Sequence, residues 1–152
     1  MSPKAKRALK SLLAGGAGSL IVAATVWAHV LWINGDVLTR GEYPLTPTLP
    51  VTGLSLFIDA MLPSLILLPP LALFAILSGP WPLRVLSVLM LLYGWYWVAD
   101  RVASLFAPHF GATWFPGEPF SELFYRWPGT PALMGAAVLA YMLVLSRLNR
   151  TR

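Results

Sequence analysis

Few residues in this chain are able to do chemistry, and they are not spread evenly. The titratable groups that fall inside or at the edge of apolar sequence are His29, Asp59, the adjacent pair Asp100 and Arg101, and His109. An imidazole near a carboxylate can act as a base or a ligand. A guanidinium beside them can hold an anionic or carbonyl group. His29 with Asp59 or Asp100 as its partner, and Arg101 as an anchor, therefore make a candidate catalytic cluster. Trp95, Tyr96 and Trp97 precede the acid–base pair directly, and with His109 they form a candidate ligand-binding surround.

Other chemistries find no support in the residues. There is no cysteine, which excludes disulfides, thiolate metal sites and thiol redox chemistry. Zinc would lack a third ligand at motif spacing. Haem held by two histidines would need His29 and His109 to meet, one in a span and the other in a connection. No GxSxG, HExxH, P-loop or dinucleotide fingerprint occurs. Neither a metal nor a cofactor is expected.

The groups can act together only if something carries them to one place. The chain has 152 residues, 57% hydrophobic and 11% charged. A typical soluble domain carries about 25% charged residues, and one of this size could not hide so much apolar surface. The expected fold is an all-α integral membrane protein in one domain: a bundle of four transmembrane helices with a short interfacial amphipathic helix before the last span.

The spans are predicted at residues 11–33, 54–78, 83–106 and 131–148. The first is about 23 residues, or roughly 34 Å as helix, enough to cross a hydrocarbon core of about 30 Å. A cleaved signal peptide, cut near Val26 and Ala28, is the competing reading of this segment. The apolar run continues past that point through Val30, Leu31 and Trp32, which favours a span. Ala14, Gly15, Gly18 and Ser19 pair at spacings of four and offer a close approach to a neighbouring helix.

Asn34 to Gly53 reads as a polar connection. The second span contains Pro63, Pro69 and Pro70 and should kink or break near its middle. Gly79 to Pro82 reads as a tight turn. Within the connection from Ala107 to Thr130, residues 119–127 have helix grammar: Phe120, Leu123, Phe124 and Trp127 share one face, with Glu122 and Arg126 four apart on another. Thr130 suits the N-cap of the last span and Pro131 its first position. That span has its own small-residue face at Gly135, Ala136 and Ala140.

With four spans, both termini share a side. That side carries Lys4, Lys6, Arg7, Lys10, Arg84, Arg147, Arg150 and Arg152, against Arg40, Arg101 and Arg126 on the other. The excess predicts a cell (inner) membrane protein with both termini cytoplasmic. The sequon at Asn149 then falls on the inner side and is discounted. The basic termini suit anionic lipid rather than nucleic acid.

Helical rise then places His29, Asp59, Asp100 and Arg101 at one level beneath the outer surface, delivered by three spans and framed by Trp27, Trp32, Trp95, Tyr96 and Trp97. Two functions compete. A non-catalytic oligomer or accessory subunit of a larger membrane complex is suggested by the small-residue faces and the missing catalytic motifs. In it the polar groups only fix helix register, for example His29 with Asp59 and Arg101 with an acid. The alternative is a small membrane enzyme or carrier with a polar pocket for a lipophilic substrate near the outer leaflet. An ion or proton path would need ionisable groups in the inner half, and almost none are there. The expected partners are membrane lipids and other membrane subunits or further copies of the chain.

Overall fold

A computed structural model describes residues 2–40, 52–77, 81–106 and 114–150. These residues are mostly helical and contain no strand. Helix α1 is Pro3–Arg40, α2 Gly53–Ser64, α3 Leu68–Leu77, α4 Trp81–Ser104 and α5 Gly129–Arg150. A 3-10 turn, Leu65–Leu67, joins α2 to α3, and a π-helical turn, Pro119–Phe124, precedes α5. Four stretches are long and apolar enough to cross a membrane: Lys4–Ile33, Gly53–Ala75, Pro82–Ser104 and Gly129–Leu148. His109, offered above as a ligand residue, lies outside the described residues, as do Gly79 and Pro80 of the expected turn at Gly79 to Pro82; its other two residues, Trp81 and Pro82, begin α4.

The long central helix, α1, packs against all the others. Its small residues set how closely they approach. A Cβ on Gly15 would lie 2.6 Å from the Leu68 carbonyl oxygen, and one on Gly18 would lie 2.7 Å from the Leu71 side chain. Ser11 donates to the Ala72 carbonyl from the same face. Gly15→Ala is therefore expected to cost about 1–3 kcal/mol, as overpacking does. Gly16→Ala, where a Cβ would meet nothing within 4 Å, is expected to keep or slightly raise the thermal unfolding temperature in detergent, because alanine favours a helix over glycine.

The second apolar stretch breaks where its prolines require. Pro69 and Pro70 have no N–H, so the carbonyls of Leu65 and Ile66 cannot receive their α-helical bonds. The chain tightens instead, and the Leu68 amide donates to Leu65. Ser64, wholly buried, spends its hydroxyl on the Met61 carbonyl at 2.8 Å. Upstream, Thr52 and Ser55 exchange side-chain and backbone bonds in a capping box that starts α2.

Three expectations change. α1 continues through Asn34 to Arg40, because no proline interrupts it before Pro44. The segment at 119–127 is not a nine-residue amphipathic α-helix. It is helical only over Pro119–Phe124, closes with the Tyr125 amide donating to Phe120 at 2.8 Å, and then runs extended. Phe120 and Phe124 are buried as the pattern suggested, but Trp127 is 76% exposed because the chain has left the helix before reaching it. Thr130 is not an N-cap: α5 begins at Gly129, and the Thr130 hydroxyl is used elsewhere.

Candidate functional site

The functional candidates gather at the end of the bundle away from the chain termini. This end holds the second half of α1, the starts of α2 and α5, the last turns of α4 and the π turn. Contacts between α1 and α2 set their relative height. Trp27 Nε1 donates to the Gly53 carbonyl at 2.7 Å, and the Trp27 ring meets Phe57 edge-on.

His29 is fully buried there. Its Nε2 lies 2.8 Å from Thr130 Oγ1, across 101 residues of sequence. The same oxygen accepts the Arg126 amide at 2.8 Å. Whether Nε2 or Oγ1 donates in this pair depends on the imidazole tautomer. Nδ1 is enclosed and has no hydrogen-bond partner among the described residues. Aromatic rings close the site: Trp95 at 5.5 Å, Phe120 at 6.0 Å and Trp32 at 6.1 Å between centroids. Trp95, also fully buried, donates from Nε1 to Thr25 Oγ1 at 2.9 Å. That hydroxyl donates in turn to the Ile21 carbonyl. Polar bonds thus tie α1 to both α4 and α5 inside an aromatic shell.

The other members of the expected cluster go elsewhere. Asp100 Oδ2 accepts the Gly117 amide at 3.1 Å and Oδ1 the Phe120 amide at 3.2 Å, so this carboxylate holds the π turn onto α4. Gly117 has φ of +90°, and a Cβ there would lie 2.5 Å from the Tyr96 hydroxyl. Only glycine suits both demands. Tyr96 itself donates to the Gly117 carbonyl at 3.3 Å. Arg101 points about 100° away from Asp100; it is exposed and lies 5.4 Å above the Trp97 ring. Asp59 is half-buried and makes no hydrogen bond or ion pair among the described residues.

No hydrogen bond or ion pair joins any two of His29, Asp59, Asp100 and Arg101. The heights explain part of this. From the contacts of α1 with α2, Asp59 lies a turn or more deeper than His29, roughly 5–10 Å by helical rise. The pairing of His29 with Asp59, and of Arg101 with an acid, is replaced by His29 with Thr130 and Arg101 with Trp97. Thr130 was the missed residue. The fourth span begins at the level where the first ends, so depth alone would have set Thr130 beside His29. The proline after it suggested a cap instead.

A hydroxyl bonded to an imidazole is also the start of a nucleophile–base pair. Here both residues are wholly buried, and among the described residues Nδ1 has no group to orient it. Among the described residues, no three His, Asp or Glu side chains converge as a metal site would need.

A separate groove opens on the side of the bundle, between the broken stretch and α4. Its volume is about 250 Å³, and Ile66, Pro70, Met90, Tyr93 and Trp97 line it. Leu67 and Gly94 form its floor; a Cβ on Gly94 would lie 2.5 Å from the Leu67 side chain. Ile66 is 64% and Tyr93 67% exposed, so the groove faces outward from the bundle.

Comparisons with protein-family models, curated proteins and solved structures found no match.

Proposed function

We propose that this chain is a non-catalytic multi-pass protein of the cell (inner) membrane, with both termini cytoplasmic, that works as an oligomer or as an accessory subunit of a larger membrane complex. Four helices of sufficient length and apolarity support the spanning. The bias of Lys and Arg toward the side of the termini supports the orientation. The end of the bundle holding His29 then lies at the outer leaflet.

The observation that carries the reading is the state of α5. Only 17% of its most apolar window is buried, the least of the four. The outward face shows Ala132, Gly135, Ala136, Leu139 and Leu143, and a Cβ on Gly135 would meet nothing within 4 Å. Small residues in a row let another helix come close, and in lipid such contact is a main source of helix association. The competing reading, an enzyme or carrier working at His29, needs an opening to a side chain that is entirely enclosed.

Because the chain has no cysteine, single cysteines report cleanly on this face. Gly135→Cys, Ala136→Cys and Leu139→Cys are expected to cross-link in native membranes, to a second copy or to one larger membrane protein. Leu62→Cys, exposed on α2, serves as the off-face control. Equal cross-linking at all positions, or none at any, would remove the support for a packing face on α5.

A further inference from the structure

We propose that the lateral groove between the broken second span and α4 is a binding site for a single outer-leaflet aminophospholipid. One acyl chain lies in the groove, the phosphate meets Arg101 and the ammonium meets Asp59.

The groove exists because of two local features. The 3-10 turn at Leu65–Leu67 separates α2 from α3, and Gly94 leaves α4 without a side chain at the position facing Leu67. The walls are apolar, and the cavity of about 250 Å³ is below the range of about 300–1,000 Å³ for compact drug-sized ligands. It suits a length of flexible hydrocarbon better than a ring-bearing ligand.

Charge identifies the headgroup. Trp97 lines the groove, and Arg101 lies over that same ring, 5.4 Å from its centroid. Arg101 follows Trp97 by one turn, which puts its guanidinium roughly 6 Å nearer the outer end. Stacking on the indole leaves the planar donors free for a phosphate. Above the groove, Asp59 of α2 lies seven residues before Ile66 of the 3-10 turn, roughly 10 Å nearer the outer end. It stands on the other side of the buried line Leu56, Ala60 and Ser64 from Phe57, which meets Trp27 of α1. It has no partner among the described residues. A carboxylate half-buried at this depth is costly without a counter-charge. An anionic lipid would leave it unmatched. A lipid bearing both a phosphate and a primary amine complements Arg101 and Asp59 together.

The inference rests on the four helices crossing the bilayer with the termini inside, but not on what covers α5. The test is native mass spectrometry of the full chain released from nanodiscs of phosphatidylethanolamine, phosphatidylglycerol and phosphatidylcholine in equal parts. One phosphatidylethanolamine per chain is expected to be retained, about tenfold over either other lipid. Arg101→Gln, and Ile66→Trp to fill the groove, alter exposed side chains and should keep the fold. Each is expected to reduce that adduct about tenfold. Asp59→Asn is expected to abolish the preference over phosphatidylglycerol. Equal retention of the three lipids, a preference for phosphatidylglycerol in the wild type, or an unchanged adduct in Arg101→Gln would each overturn the proposal. So would cross-linking of Ile66→Cys to a second copy, since protein would then cover the groove. Release of the wild-type chain from membranes by alkaline carbonate would instead defeat the spanning premise.

Discussion

Replacing His29 by alanine should lower the stability of the bundle by about 3–5 kcal/mol, the range for truncating a large buried side chain. Two losses add. The ring fills a space bounded by Trp95, Phe120 and Trp32, and the shell cannot collapse fully onto a methyl group. The Thr130 hydroxyl also loses its imidazole partner while still receiving the Arg126 amide, and a buried polar group left without its bond costs about 1–3 kcal/mol. Thr130→Val removes the bond but little volume and should cost less, about 1–3 kcal/mol. Because the two residues share one bond, the double variant His29→Ala/Thr130→Val should fall short of the sum of the singles. Thermal or denaturant unfolding in a fixed detergent measures all three. Strict additivity would mean that the 2.8 Å contact carries no energy. If His29→Ala were as stable as the wild type while a cellular phenotype disappeared, the catalytic reading would regain its place.

The second large effect belongs to Asp100. Asp100→Ala removes the acceptor for two backbone amides, Gly117 and Phe120. Bonds to a charged acceptor contribute about 1.5–3 kcal/mol each, and partial exposure of this carboxylate puts the combined loss near 2–4 kcal/mol. The damage should be local. The π turn would lift from α4, and Phe120, 3% exposed in the intact fold, would become accessible along with the aromatic wall of His29. Hydrogen exchange should show faster exchange at the Gly117 and Phe120 amides with little change along α3 or the first half of α1. Asp100→Asn keeps one carbonyl acceptor and should recover about half of the loss. Uniform exchange along the whole bundle would mean that the carboxylate supports global stability rather than the turn.

The parts of the fold that depend on composition and period were legible in the chain itself. Apolar length marked the four long helices, and the loss of amide donors at Pro69 and Pro70 marked the break in the second. Gly15 and Gly18 showed where α1 would be approached, since only small residues permit that distance. Two kinds of feature were not legible. One was the direction in which a side chain points: Asp100 and Arg101 are neighbours in sequence, yet one binds the π turn and the other stacks on Trp97. The other was partnership across sequence. Nothing local to Gly129-Thr130-Pro131 distinguishes a threonine that caps its own helix from one that bonds a histidine 101 residues away. The period of Phe120, Leu123, Phe124 and Trp127 failed at its last member because a π turn advances more slowly than an α-helix and here ends early. Gly94 carried no signal either, since its missing side chain matters only beside Leu67.

All the functional readings depend on which end of the bundle faces out. Single cysteines in an otherwise cysteine-free chain, labelled in intact cells with a membrane-impermeant maleimide, test this most directly. Ser121→Cys, exposed on the π turn, should be labelled from outside. Ser2→Cys and Ser146→Cys, exposed near the two termini, should react only after the cells are opened. Labelling of Ser2→Cys or Ser146→Cys in intact cells, with Ser121→Cys protected, would contradict the orientation. The outer-leaflet placement of the groove, the π turn and the His29 site would fall with it.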